Sequence, residues 1–269
     1  MQVESVQNVE RWIDQSAMSD PAGYAAAIAE LPSDIAALNR VVQGLLIHSD
    51  WLAAYGLDET GFQGISRATL PVADRLRAIF TADKQQLRLP RPPGGRAVGT
   101  CRDYALMLCS FLRAKGVPSR VRCGFASYFS SAWEDHWVCE YWDRQAQTWR
   151  LSDPQIDKVL KDRCRIDFDL EDVPARAFVA AGQAWSHCRS GKSDPARFGH
   201  GDVTGLWFIK VNVVRDHYTV NGWETSVWDG WRAAAPSRRT VADDEIALLD
   251  GLAAQPEQPL VEVDPGWPS

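Results

Sequence analysis

No stretch of this sequence is apolar for long enough to cross a bilayer. Its most apolar run, residues 41–54, is interrupted by Gln43, His48 and Asp50 and falls short of the ~20 residues a spanning helix needs. The opening Met1-Gln-Val-Glu-Ser lacks the basic start and apolar core of a signal peptide, so a cytoplasmic location is expected. There is also no run of Lys or Arg. The net charge is −6 and the pI about 5.4, which argues against nucleic acid or an anionic membrane surface as a partner. None of the six cysteines forms a CxxC pair, which removes the usual signature of a structural zinc site. His136 and Cys139 are three apart, and on a strand their side chains would face opposite ways. No metal and no cofactor are expected. Nothing marks the chain as a small secreted scaffold, so the thiols are expected to be reduced. Histidine is scarce, with five copies, which shortens any search for a general acid or base.

What is present describes an ordinary globular chain: 269 residues, 45% hydrophobic and 24% charged. Tryptophan is abundant at 12 copies, enough for an aromatic core with rings left over to wall a cleft. Residues 1–85 read as mainly helical. Asp20-Pro21 opens one helix running to Glu30. Ser33 or Asp34 caps a longer one, with Ile35, Leu38, Val41, Val42, Leu45 and Leu46 at helical spacing and Gly56 as its stop. Pro71 to Ala82 forms a third. Residues 86–100, rich in Pro and Gly, read as a loop leading into a site.

A helix then starts at Thr100 and carries Ala105, Leu108, Cys109 and Leu112 on one face. Gly116 ends it and Pro118 blocks its continuation. Strands are predicted at 119–128, 136–142 and 148–152, with a hairpin turn at 143–147. Residues 174–188 read as a helix, 206–214 as a strand and 243–252 as a short amphipathic helix. The domain expectation is one unit over 1–235, with 86–235 as core and extension, followed by a short helix and tail at 236–269.

Cys101 falls at the start of a helix, where free N–H groups and the helix dipole favour an anion and hence a thiolate. Gly99 permits close approach just before it. A buried structural role suits most of the other five cysteines better. His136 opens a strand, from which an imidazole can pair with a thiolate and later serve as general acid. Asp153 ends the strand paired with it, where a carboxylate can fix the imidazole tautomer. Each residue alone has a plainer reading: a core histidine, or an Asp-Pro turn.

In order, these residues resemble a known family. Gly99-Thr-Cys101 leads a helix ending in Gly116-Val-Pro-Ser-Arg120. It is followed by Asp135-His136-Trp137-Val and by Trp149-Arg-Leu-Ser-Asp153-Pro. The pattern is similar to the transglutaminase-like superfamily, in a small bacterial-type form without extra β-domains. The resemblance implies an α+β fold with a papain-like core, a nucleophile helix packed on an antiparallel sheet, beside a helical N-terminal region. It also implies a Cys101–His136–Asp153 triad. Gln155 departs from the pattern, which often has Thr after Asp-Pro.

The expected function is cysteine-dependent acyl transfer on an amide, peptide or acyl-thioester substrate, as hydrolase or transamidase. An acyltransferase moving an acyl group from a carrier-protein thioester to an amine is the alternative. A non-catalytic binding module on the same fold is the reading from another class. Arg102, Asp103, Trp137 and Gln155 are the candidate substrate-binding residues. Gln43, His48 and Trp51 are candidates for the second oxyanion donor, after the Cys101 backbone N–H. No oligomeric state is implied.

Overall fold

The computed structural model describes residues 9–62, 67–130 and 132–267. The reading of residues 1–5 lies outside them. The architecture is α+β, and the chain divides into two compact units. One runs up to Val121 and resumes over Val138–Val173; the other comprises Arg122–Trp137 and the chain from Pro174 onward. The strands Ser119–Ala126 (β3) and Trp133–Asp143 (β4) each contribute residues to both.

The first unit holds helices Ala25–Ala29 (α1), Ile35–Leu45 (α2), Val72–Ala82 (α3), Cys101–Ala114 (α4) and Lys158–Cys164 (α5). Asp34 caps α2 by accepting from the Ala37 N–H at 2.8 Å. Leu38, Val41, Val42 and Leu45 bury its apolar face. The helix stops at Leu45 rather than at Gly56. Leu46–His48 instead forms strand β1, parallel to Ala97–Gly99 (β2), with His48 opposite Gly99. All three β1 residues are buried, so the strand lacks the alternation that separates strand from helix. Gly56, at φ 70°, closes only a short 3₁₀ turn, Leu52–Tyr55. Helix α4 ends as predicted: Gly116 at φ +72° follows it, and its N–H donates to the Arg113 carbonyl at 2.9 Å. Strand β4 then pairs antiparallel with Thr148–Ser152 (β5), from Asp143 opposite Thr148 to Cys139 opposite Ser152.

In the second unit Phe178–Ala180 (β6) runs antiparallel to β3, Phe198–His200 (β7) runs parallel to β4, and Val203–Thr204 (β8) returns along β7. At Gly124 a Cβ would fall 2.2 Å from the Val179 carbonyl oxygen, so the β3–β6 approach requires glycine. Helices Ala181–Arg189 (α6), Leu206–Val220 (α7) and Ile246–Ala254 (α8) complete the unit. Two expectations are corrected. Residues 206–214 form a helix, not a strand, and 174–188 contains β6 before its helix begins at Ala181. Every residue of α7 from Trp207 to Val220 is buried. A helix buried all round has no amphipathic period to read, and its β-branched and aromatic content imitates a strand. Aromatic edges fill the core: Phe125 against Phe198 at 5.2 Å, Phe208 against Trp231 at 4.9 Å and Trp228 against Trp267 at 4.9 Å. Leu249, Leu252 and Trp267 join that cluster, so residues beyond 236 contribute to the core of this unit.

His217 on α7 ties the C-terminal segment down. The Val261 N–H donates to its Nε2 at 2.9 Å. The proton must therefore sit on Nδ1, which donates to the Pro256 carbonyl at 2.8 Å. Burial lowers the His217 pKa, outweighing the Pro256 carbonyl and Asp216, which act the other way. The folded value lies below the unfolded one. The stabilisation is thus complete above the unfolded value, near 6.5, and is lost as pH falls toward the folded value. Wild type should lose more of its unfolding free energy between neutral pH and pH ~5 than His217→Gln does in parallel urea titrations. Equal losses would contradict this. No helix among the described residues is long and apolar enough to cross a membrane.

Candidate active site

Cys101 is the first residue of α4, and the turn that holds it is fixed from three directions. The Thr100 N–H donates to Asp103 Oδ2 at 2.8 Å, and the Asp103 N–H returns to the Thr100 carbonyl at 2.9 Å. Asp103 Oδ1 accepts from the Arg75 guanidinium at 2.6 Å. Another guanidinium nitrogen of Arg75 donates to the Val98 carbonyl, in the strand that delivers the cysteine. Arg75 and Asp103 are both buried. A Cβ on Gly99 would stand 3.0 Å from Asp103 Cβ, so the residue that admits close approach does so toward this cap. The Gly99 carbonyl accepts from the Ser49 N–H at 3.0 Å, tying β2 to β1.

Six free cysteines separate by environment. Cys109, Cys123 and Cys139 are buried, while Cys101, Cys164 and Cys188 are partly exposed. Burial, with the Asp194 charge, pushes the Cys188 thiol up to about 11. Burial and a hydrogen bond with Cys109 raise Cys139 well above the thiol range. Cys164 closes α5 and Cys188 lies in the last turn of α6. The backbone groups exposed at both places are carbonyls, whereas α4 presents its first N–H groups beside Cys101.

His136 is the fourth residue of β4, in the part belonging to the second unit. It is buried, with its ring edge-on to Phe129 at 4.9 Å, Tyr128 at 5.8 Å and Phe178 at 6.5 Å. Alternation along the strand turns its neighbours Asp135 and Trp137 to the other face. There α7 holds both. Asn212 Nδ2 donates to Asp135 Oδ1 at 3.0 Å, and Arg215 reaches Asp135 Oδ2 at 3.5 Å. The same guanidinium donates to Asn212 Oδ1 at 2.7 Å and to Asp229 Oδ1 at 3.1 Å, and lies 4.7 Å from the centre of the Trp137 ring. One turn along the helix, Asp216 accepts both the Arg122 guanidinium, at 3.0 and 2.7 Å, and the Cys123 N–H at 2.8 Å.

Asp153 follows β5 directly, in the first unit with Cys101. It is fully buried. Its N–H donates to the Leu170 carbonyl at 2.9 Å, and its Oδ1 accepts from the Gln155 N–H at 3.0 Å. Asn39, projecting from α2, exchanges hydrogen bonds with the preceding Ser152 hydroxyl and donates to Glu171 Oε1 at 3.0 Å. Burial raises the Tyr104 hydroxyl of α4 far above its ordinary value, and Asp153 is among the charges that add to this.

The four candidate substrate residues, Arg102, Asp103, Trp137 and Gln155, are all buried. The carboxylate of Asp103 is committed to the α4 cap, and Trp137 carries the Arg215 guanidinium. Gln43 donates to the Ile156 carbonyl at 3.0 Å. His48 Nδ1 accepts the Asp50 N–H at 3.1 Å, and the Arg163 guanidinium lies 6.0 Å from the Trp51 ring. Arg75, Asn39, Asn212 and Arg215 are the residues the sequence reading passed over. The last two had a signal: polar side chains three apart inside an apolar run, one helical face. Among the described residues, no group of three His, Cys, Asp or Glu side chains is placed to hold a metal.

Residues 89–154 match the model of the transglutaminase-like superfamily. That segment is about a quarter of the chain, and it contains Cys101, His136 and Asp153. The likeness read from the sequence is thus carried by the part that holds all three. A candidate cysteine protease from Cytophaga hutchinsonii, known from its crystal structure, is similar over 66% of this chain at 14% identity and a TM-score of 0.38. The similarity spans 47% of that protein, about half its length. No curated protein matches the sequence.

Proposed function

We propose that this protein is a cysteine-dependent acyl-transfer enzyme, acting on an amide or peptide as hydrolase or transamidase. Cys101 is its nucleophile, His136 its general acid and base, and Asp153 the carboxylate that orients the imidazole. The observation that carries this reading is the position of Cys101. It opens a helix whose first turn is held by a buried ion pair, inside a segment that matches the transglutaminase-like superfamily.

The chemistry follows from the residue types. The Cys101 thiolate attacks the carbonyl carbon, and the oxyanion that forms meets the Cys101 backbone N–H at the helix start. The C–N bond breaks, the amine leaves with a proton from His136, and a thioester remains on the sulfur. Water or a second amine, giving its proton to His136, then attacks the thioester and releases the thiolate. An acyl thioester donor would enter by the same first step. Asn212 and Arg215 serve as positioning residues, holding the flanks of His136 through Asp135 and Trp137.

Alkylation kinetics test the nucleophile without a known substrate. With iodoacetamide at mildly acidic pH, intact-mass and peptide analysis should show Cys101 modified well ahead of Cys164 and Cys188. His136→Ala should slow that reaction selectively. Equal, slow labelling of the partly exposed thiols, or a rate unchanged in His136→Ala, would overturn the assignment.

A further inference from the structure

The second unit carries a groove of about 840 Å³ that neither Cys101 nor His136 lines. Its volume is in the range of sites that hold small organic ligands. Tyr218, at the end of α7, and Trp267 line it, together with Trp223 and Val227. Trp223 is 58% exposed and Val227 47%. These are large apolar groups that the fold leaves in solvent beside an otherwise well-filled aromatic core. Two lining residues are charged, Glu262 and Asp264, and both are acidic and exposed.

The wall bearing these carboxylates is pinned to the unit by three hydrogen bonds. The Val261 N–H donates to His217 at 2.9 Å, the Val263 N–H to the Tyr218 hydroxyl at 3.2 Å, and the Trp228 indole N–H to the Val263 carbonyl at 2.7 Å. The wall is therefore held in place before any ligand arrives, and binding has little backbone to order. Asp264 Oδ1 accepts the Gly266 N–H at 2.9 Å. Glu262 stands two residues away and lines the same groove.

We propose that this groove binds a primary ammonium ion carried on an aromatic or alkyl chain. The chain lies against Trp223 and Val227, and the charge meets Glu262 and Asp264 beside an electron-rich indole face. An aromatic face attracts a cation electrostatically, and the carboxylates add a charge that a neutral or anionic ligand cannot use. An anionic ligand would meet two like charges with no basic side chain in the lining to offset them. The proposal stands independently of the acyl-transfer reading, because its residues are separate from that chemistry.

Calorimetric titration of the full chain with 4-phenylbutylammonium, 4-phenylbutanol and 4-phenylbutyrate tests it. The ammonium should bind about tenfold more tightly than the alcohol, the carboxylate should show no saturation, and added salt should narrow the gap. Glu262→Gln with Asp264→Asn should bring the ammonium down to the affinity of the alcohol. Trp223→Ala should weaken both. A short peptide with one lysine identifies the source. Tighter binding than the free amine assigns a protein side chain, weaker binding a free amine, and either supports the site. Equal affinity for all three phenyl ligands, no saturation by the ammonium, or an unaltered preference in the double variant would overturn the proposal.

Discussion

Replacing Arg75 by methionine is expected to cost about 3–5 kcal/mol of folding stability. The substitution preserves volume and removes the Arg75 guanidinium from Asp103, whose side chain is 2% exposed. The carboxylate then stays buried without its countercharge, and the Val98 carbonyl loses its donor as well. Urea unfolding of the two proteins measures the difference. Arg75→Met combined with Asp103→Asn should recover a large part of it. The amide oxygen can still accept the Thr100 N–H, and the stranded charge is gone. A loss below about 1 kcal/mol for Arg75→Met would mean that the pair behaves as a surface ion pair. The consequence reaches the chemistry, because Arg75 and Asp103 fix the turn on which Cys101 sits. Loosening that turn should slow Cys101 alkylation even in the molecules that remain folded.

The second large effect is on catalysis. Cys101→Ala should abolish acyl transfer, lowering hydrolysis of an activated ester such as p-nitrophenyl acetate by at least about 10³-fold. The unfolding midpoint should barely move, because the side chain is partly exposed and fills no core space. His136→Ala should lower turnover by a comparable factor, since a nucleophile and its base act as one unit. Asp153→Asn should retain the geometry but favour the wrong imidazole tautomer, with a smaller loss. Full ester turnover in Cys101→Ala would remove the covalent mechanism.

The parts of the fold that the sequence disclosed were those specified locally. Thr100 marks the start of α4, and Gly116 and Pro118 its end. Asp143 to Gln147 turns the β4–β5 hairpin, with Gln147 at φ 52°. Each of these signals spans a few residues. The failures came where burial erased the pattern. Strand β1 is buried throughout and ran on from α2 without a break in hydrophobicity, and α7 is buried on every face. The supports of the site were hidden for another reason. Arg75 meets Asp103 across 28 residues, Asn39 meets Ser152 across 113, and Asn212 meets Asp135 across 77. No local rule pairs side chains so far apart. Asp103 shows the limit most clearly. Its place two residues after Cys101 suggested contact with substrate, while its carboxylate is occupied by the helix cap and by an arginine from α3.

The most direct measurement is the intact mass of the protein quenched in acid shortly after mixing with p-nitrophenyl acetate at neutral pH. A cysteine nucleophile predicts one acetyl group per chain, located on Cys101 by peptide mapping, with none in Cys101→Ala. No acetylation, or the same acetylation in Cys101→Ala, would contradict it.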